Sequence, residues 1–237
     1  MNVAIIQFPG TNCDIDTYRV FSNLLKVDVS FVWHKENDLT NFDAVVLPGG
    51  FSYGDRLRAG VIAAHSPVIQ ALKKFALKRK PIIGICNGFQ ILVESELLPG
   101  ALLKNSNQKF VCKWVTLKVE NNNNLFANYF KSDSIIRMPI AHNEGRYYVD
   151  NEKLEELERN NQIILRYVDS TGNASIQSNP NGSISNIAAV SNIEGNVLGL
   201  MPHPERASES ILSPDSSTNG IGLFHSMIHS LEVILKK

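Results

Sequence analysis

Short apolar runs alternate with amphipathic segments along the first half of the chain. The runs cover residues 3–8, 27–33, 44–47 and 82–85. Apolar side chains recur about every 3.6 residues in residues 15–25 and 67–80, which predicts two helices. Alternating strands and helices are typical of a parallel sheet, and unbroken apolar runs indicate strands that are covered on both faces.

The second half of the chain has a different pattern. Strand-like segments follow one another with few helices between them, at residues 110–120, 134–141, 162–168, 184–190 and 197–201. This order predicts an antiparallel or mixed layer added to the first sheet, and residues 221–235 predict a closing helix. The polar segments 121–124 and 169–185 are predicted loops. Because no linker-like segment interrupts the pattern, we expect one α/β domain over residues 1–237.

Composition excludes several classes of protein. Of the 237 residues, 43% are hydrophobic and 19% are charged, which is typical of a soluble globular protein. The 23 basic residues balance the 23 acidic ones, so a general nucleic-acid binder or a membrane-surface protein is disfavoured. We find no targeting segment and no apolar stretch that could span a membrane.

Cysteine usage points to a reducing compartment. The three cysteines, at positions 13, 86 and 112, show no Cys-x-x-Cys spacing. Neither a disulfide framework nor a zinc knuckle fits this pattern, so we expect a cytoplasmic protein without a metal site.

The sharpest chemical motif surrounds Cys86. It reads Gly84-Ile85-Cys86-Asn87-Gly88 and lies where the predicted strand 82–85 meets a predicted helix over residues 88–94. A nucleophile on such a turn needs small neighbours, and a helix N-terminus favours the thiolate form. A buried cysteine without a chemical role is the alternative, but the strand-turn-helix setting favours a nucleophile.

A histidine and a carboxylate are two residues apart near the end of the chain. In Met201-Pro202-His203-Pro204-Glu205, an extended backbone would point His203 and Glu205 to the same side. Pro204 favours extended geometry at His203. The pair could complete a Cys-His-Glu triad with Cys86, although a surface histidine without function would show the same local pattern.

A glycine-rich loop follows the strand at residues 44–47. Amides freed by Gly49 and Gly50 could form an oxyanion hole together with the amide of Asn87, which follows the nucleophile. An ordinary glycine-rich turn is the alternative. It is not a phosphate-binding loop, because no Gly-Lys-Ser/Thr sequence follows it.

Three other residues are weaker candidates. Cys13 could be active, but the neighbouring Asn12 and Asp14 suggest a helix cap. Cys112 alternates along a predicted strand and is expected in the core. His142 could bind a ligand, although a role in a turn is favoured.

Taken together, the motifs resemble the triad-type (class I) glutamine amidotransferases, whose fold is a flavodoxin-like open, mostly parallel sheet flanked by helices. The elbow and the His-Pro-Glu element are shared across that family. Other segments resemble its purine-biosynthetic branch: Pro9-Gly10-Thr11-Asn12-Cys13-Asp14, Phe51-Ser52-Tyr53-Gly54-Asp55, Cys86-Asn87-Gly88-Phe89-Gln90, Leu98-Pro99-Gly100-Ala101 and Asn179-Pro180-Asn181-Gly182-Ser183. The resemblance covers nearly the whole chain.

The resemblance implies a role for each matching residue. Cys86 would be the nucleophile, His203 the base and acid, and Glu205 its orienting carboxylate. Gly50 and Asn87 would supply oxyanion amides, and Gln90 would contact the substrate, L-glutamine. Asn143 departs from the glycine that is usual in the Ala-His-x-Glu-Gly element of this family, which puts the expected tight turn in doubt.

The resemblance also implies partners. The chain itself would need no cofactor. A large synthetase subunit would use ATP and Mg²⁺ with the released ammonia to make formylglycinamidine ribonucleotide, and a small accessory subunit would complete the assembly. The open alternatives are a glutaminase that serves another synthetase, a related γ-glutamyl or cysteine peptidase, and a non-catalytic assembly subunit of the same fold.

Overall fold

A nine-stranded mixed sheet forms the centre of the computed structural model, which describes residues 1–235. The strands are β1 (Asn2–Gln7), β2 (Asp28–Trp33), β3 (Ala44–Leu47), β4 (Ile82–Ile85), β5 (Ala101–Leu103), β6 (Val111–Val119), β7 (Ile135–His142), β8 (Arg146–Tyr148), β9 (Ile163–Val168), β10 (Ile187–Ser191) and β11 (Val197–Leu200). The helices are α1 (Asp14–Arg19), α2 (Pro67–Leu77), α3 (Asn87–Glu94), α4 (Asn151–Arg159) and α5 (Ile221–Leu235). The order in the large sheet is β2-β1-β3-β4-β11-β10-β9-β6-β7.

One half of this sheet is parallel. Strands β2, β1, β3, β4 and β11 all run in the same direction. Every residue of β3, β4 and β11 is buried, which confirms that the unbroken apolar runs are covered on both faces. The four strands expected in the first half of the chain are therefore present, each within about one residue of its predicted bounds.

The other half is antiparallel and continues the same sheet. Strand β10 pairs with β11 and β9, and β6 pairs with β9 and β7. Buried and less buried residues alternate along β7, as expected of strands with unlike faces. A separate two-stranded antiparallel sheet consists of β5 and β8, which lie outside the predicted strands. Because β11 lies between β4 and β10, both halves of the described chain share one sheet, and the single domain over 1–237 stays a prediction.

Helix α1 continues into a π-helical segment, Val20–Leu24, so the predicted helix over 15–25 is present with a widened second half. The closing helix has the expected bounds. The helix α4 is not predicted, because Leu157 is its only buried residue and seven of its nine positions are polar, which hides the period. Its start is nevertheless encoded locally, since the Asp150 carboxylate accepts a hydrogen bond from the Lys153 N–H at 2.8 Å.

Strand β10 begins three residues later than predicted. Residues Ile184–Asn186 form a 3₁₀ turn in which Ser185 and Asn186 have φ of 48° and 56°. Backbone in this left-handed region cannot join a β ladder.

Among residues 1–235, no helix combines the length and the apolar character needed to cross a membrane.

Helix α3 packs closely onto β11 because a glycine faces it. A Cβ placed on Gly199 would lie 2.0 Å from Cδ2 of Phe89, far inside van der Waals contact. Phe89 is fully buried at this contact. The missing side chain at Gly199 therefore sets the height of α3 above the sheet, and with it the height of the turn that precedes the helix.

We expect Gly199→Ala to lower the free energy of unfolding by about 1–3 kcal/mol, because an added methyl overpacks a closed contact. Urea unfolding of the purified chain measures the change. Glu155→Ala, on the exposed side of α4, is the control and should stay within about 0.5 kcal/mol of wild type. An unchanged stability for Gly199→Ala would mean that Phe89 moves aside freely.

Candidate active site

Four loops meet at the carboxyl ends of neighbouring parallel strands. Cys13 follows β1, Gly49 and Gly50 follow β3, Cys86 follows β4, and His203 follows β11. Because these strands are adjacent and parallel, their carboxyl ends share one edge of the sheet. In open α/β sheets this edge is the usual position of a binding site.

Cys86 occupies the strained turn that the sequence predicts. Its backbone has φ of 50° and ψ of −103°, and helix α3 starts at the next residue. Its N–H donates to the carbonyl oxygen of Leu200 at 2.8 Å, which ties the turn to β11. A Cβ on Gly88 would lie 2.0 Å from the Leu47 oxygen, so a larger residue cannot stand there. Unfavourable backbone of this kind is concentrated at functional sites.

His203 and Glu205 form a buried pair. The Nδ1 atom of His203 lies 2.5 Å from Oε1 of Glu205, and each residue is 2% exposed. The backbone N–H of His203 donates to the backbone oxygen of Pro139 at 2.8 Å, which fixes the backbone that carries the imidazole ring. Burial opposes the charged imidazolium, but the charges of Glu205 and then Cys86 prevail and raise the pKa of His203.

The pair forms by a different route from the expected extended segment. Residues Pro204–Ala207 form a 3₁₀ turn, and His203 stands just before it with φ of −105° and ψ of 89°. Pro204 suits the first position of such a turn because its φ is already near the helical value. The expectation of extended geometry is therefore right for His203 and wrong for Glu205, whose turn brings the carboxylate back to the ring.

The glycine-rich loop is joined to the loop after β1. Asn12 and Cys13 donate backbone hydrogen bonds to the Gly49 oxygen at 3.3 and 3.1 Å, and Phe51 donates to the Gly10 oxygen at 3.0 Å. A Cβ on Gly50 would lie 2.8 Å from the Gly10 oxygen, so only glycine fits this crossing. Within the described residues, the Gly50 N–H takes no part in these bonds.

Asn87 and Gln90 connect the site through their side chains. The Asn87 Oδ1 atom accepts a hydrogen bond from the Ser52 N–H at 3.1 Å, and its Nδ2 donates to Oε1 of Gln90 at 2.9 Å. Gln90 Nε2 then donates to the Glu144 carbonyl oxygen at 2.7 Å. Both side chains are buried, and these bonds leave one N–H of Gln90 Nε2 unused for the predicted direct contact with glutamine. That contact stays a prediction.

The cap expected at the start of α1 is absent from the described contacts. Cys13 itself stands at the N-cap without a side-chain capping bond, and Asn12 Oδ1 lies 3.2 Å from Cys13 Sγ instead. The thiol is buried and lies 3.1 Å from Nη2 of Arg206. In the sequence, the indication that Cys13 lies at this site is its position in the loop after β1. That strand is the neighbour of β3, which precedes the glycine-rich loop.

For His142 a role in a turn is the favoured expectation, and its role stays a prediction. This residue ends β7 and is buried, and its Nδ1 lies 3.1 Å from Oδ1 of Asn105. Burial lowers the pKa of His142 to about 4, which keeps the ring neutral. Asn143 does not have a positive φ, so the turn accepts asparagine where the family usually has glycine.

The expected core position of Cys112 is wrong, because that residue is exposed.

A family model for the CobB/CobQ-like glutamine amidotransferase domain matches residues 1–229. The chain belongs to this family of glutamine amidotransferases. It is 54% identical over 228 residues to the phosphoribosylformylglycinamidine synthase subunit PurQ of Aquifex aeolicus, with 96% of this chain and 99% of that protein covered. The protein of the same name from Methanosarcina acetivorans is 53% identical, with coverages of 96% and 97%.

Solved structures agree with the family. A chain in the structure of PurLQS from Thermotoga maritima superposes with a TM-score of 0.84 at 42% identity, covering 97% of this chain and 98% of that one. The glutaminase domain of Trypanosoma brucei CTPS with bound acivicin superposes with a TM-score of 0.57 at 16% identity, covering 98% and 94%. The second likeness shows a common fold.

The amidotransferase holds a strained loop over this edge of the sheet. Tyr53, Asp55 and Leu57 all have positive φ, between 53° and 69°. Each such residue costs about 1–3 kcal/mol, so the surrounding contacts must hold the loop in place. One of those contacts is the bond from Ser52 to Asn87, and another joins the Ala59 N–H to Glu144 Oε2 at 3.1 Å.

Two carboxylates of the amidotransferase lie close together in this loop region. Asp55 is partly buried, and its Oδ1 atom has no hydrogen-bond partner among the described residues. Burial and then the charge of Glu144 raise the pKa of Asp55 to about 6. A carboxyl whose pKa is higher in the folded chain stabilises the fold while it is protonated, and this contribution is lost as the pH rises through 6.

We therefore expect Asp55→Asn to raise the melting temperature at about pH 8, where the wild-type carboxylate is charged, and to raise it less at about pH 4.5. Thermal unfolding at both pH values measures the difference. Asp28→Asn, at an exposed position of β2, is the matched control. An equal gain at both pH values would show that the charge of Asp55 is not the cause.

Proposed function

We propose that this chain is the glutaminase subunit of phosphoribosylformylglycinamidine synthase. The observation that carries the proposal is the buried pair of His203 and Glu205 beside the strained turn of Cys86, at one edge of the sheet. The relatives that are 52–54% identical over 96% of the chain are all named as this subunit, which supports this synthetase over another.

The first half of the reaction makes a thioester. Glu205 holds Nδ1 of His203, so Nε2 is the nitrogen that remains to accept the proton of the Cys86 thiol. The thiolate attacks the side-chain carbonyl carbon of glutamine, and a tetrahedral oxyanion forms. His203 returns the proton to the amide nitrogen, the carbon–nitrogen bond breaks, and ammonia leaves.

The second half regenerates the enzyme. His203 takes a proton from water, the hydroxide attacks the thioester, and glutamate leaves as Cys86 regains its proton. In both halves the oxyanion would be held by the N–H groups of Gly50 and Asn87. Asn87 is the first residue of α3, where backbone N–H groups lack partners inside the helix.

The ammonia would be used by other subunits. By resemblance, a large synthetase subunit uses it with ATP and Mg²⁺ to make formylglycinamidine ribonucleotide, and a small accessory subunit completes the complex. The similar structure from Thermotoga maritima is of PurLQS, which supports such an assembly. We place the protein in the cytoplasm, which agrees with three cysteines that are all free. No cofactor is needed by the steps above.

We expect Cys86→Ala to abolish glutamine-dependent synthesis in the assembled complex and to leave ammonia-dependent synthesis intact, because the thiol serves only to release ammonia. Steady-state rates with glutamine and with ammonium salt measure both reactions. Cys112→Ala, at an exposed position, should leave both unchanged. Loss of ammonia-dependent synthesis in a complex that still assembles would contradict this division of labour.

We expect Glu205→Gln to lower the glutaminase kcat by about 10²–10⁴-fold, and His203→Ala to lower it at least as much. Since the charge of Glu205 raises the pKa of His203, the acid limb of the kcat/KM profile should move to lower pH in Glu205→Gln. Glu155→Gln is the surface control. A wild-type pH profile in Glu205→Gln would remove Glu205 from the triad.

A further inference from the structure

A second thiol lies beside the catalytic pair. Cys13 Sγ, one ring nitrogen of His203 and one carboxylate oxygen of Glu205 all lie within 4.8 Å of one another, and all three residues are buried. Gly49 makes this approach possible. A Cβ at Gly49 would lie 3.0 Å from Cys13 Sγ and 2.7 Å from Cε1 of His203.

Two polar atoms of this cluster lack partners. Oε2 of Glu205 and Nε2 of His203 are buried and make no hydrogen bond within the described residues. The glutaminase reaction uses Nε2, but it assigns nothing to Oε2. A buried carboxylate oxygen without a partner is costly, so this oxygen marks a place where a cation or a donor would be stabilised.

We propose that Cys13, His203 and Glu205 form an inhibitory binding site for a divalent transition-metal cation such as Zn²⁺. A thiolate, an imidazole and a carboxylate are the donors that Zn²⁺ takes in three-ligand protein sites, where water fills the fourth position. Ligand atoms around one zinc ion lie about 3–4 Å apart, so adjustments of about 1 Å within the cluster suffice. Mg²⁺ is not expected to bind, because it prefers oxygen ligands.

Arg206 opposes occupation of this site. Its Nη2 lies 3.1 Å from Cys13 Sγ, and its Nε lies 3.2 Å from Oδ2 of Asp16. The Arg206 side chain is 39% exposed, so it can turn toward solvent and Asp16 when a cation takes its place. Arg206→Met should therefore bind the cation more tightly than wild type, because a positive charge beside the thiol is removed.

The cation would block the reaction at the base. A metal ion held by Glu205 and Nδ1 of His203 replaces the contact that orients the imidazole, and its positive charge makes Nε2 a weaker base for the proton of Cys86. This inhibition rests on the proposed function, whereas the binding itself does not. The direct test is therefore a binding experiment that requires no glutaminase activity.

The experiment is a Co²⁺ titration of the full chain, followed by the thiolate-to-cobalt charge-transfer absorption, with Zn²⁺ displacing the cobalt. We expect one equivalent in wild type, Cys86→Ser and Cys112→Ser. Cys13→Ser should lose the charge-transfer band and bind Co²⁺ at least about tenfold more weakly. Thermal unfolding establishes that each variant is folded.

If Cys13→Ser does not fold, Glu205→Gln supplies the test, with the band retained and the affinity reduced at least about tenfold. The proposal is overturned if wild type binds no stoichiometric Co²⁺, if Glu205→Gln binds as wild type does, or if the band survives in Cys13→Ser and is lost in Cys86→Ser. The last result would place the metal on the nucleophile.

A second measurement addresses inhibition. In the assembled complex, we expect Zn²⁺ to inhibit glutamine-dependent synthesis reversibly, with recovery after a chelator is added. Each variant is normalised to its own rate without zinc. Cys13→Ser should need at least about tenfold more Zn²⁺ for half-inhibition than Cys112→Ser. Equal sensitivity of these two variants would contradict an inhibitory role for Cys13.

Discussion

The proposed chemistry of this chain depends on burying an imidazole and a carboxylate together. Either group alone, at 2% exposure, would favour its neutral form, because a lone charge in the interior is strongly destabilised. Placed 2.5 Å apart, they stabilise the charged form of His203 and fix which nitrogen is free. The neighbouring features serve this contact: Pro139 holds the backbone, and Gly49 leaves space beside the ring.

The glycine-rich loop is the part of the site least able to hold its own shape. Its non-glycine residues with positive φ are unfavourable locally, so its geometry is set by bonds to other elements. Asn87 supplies one such bond and also starts α3, which means that the side chain beside the proposed nucleophile positions the loop expected to stabilise the oxyanion. A shift of the turn that carries Cys86 would therefore also shift the glycine-rich loop.

Strands and motifs could be predicted because they depend on short-range patterns. Unbroken apolar runs located β3 and β4, and paired glycines located the turn of Cys86. What could not be predicted depends on contacts between distant segments. Helix α4 has one buried residue, and the pairing of Asn87 with Ser52 joins segments that are 35 residues apart. The proximity of Cys13 to His203 depends on the loops that follow β1 and β11, because β3 and β4 separate these two strands in the sheet.

The place of β11 in the sheet has a consequence for biosynthesis. Residues Val197–Leu200 are the last strand along the described chain, yet they pair with β4 on one side and β10 on the other. Until a ribosome has translated them, β4 has an open edge, and Cys86 lacks its proposed base His203, which follows β11. On the proposed mechanism, a nascent chain therefore cannot release ammonia before the sheet closes, and contacts that join such distant segments are the slow ones to form.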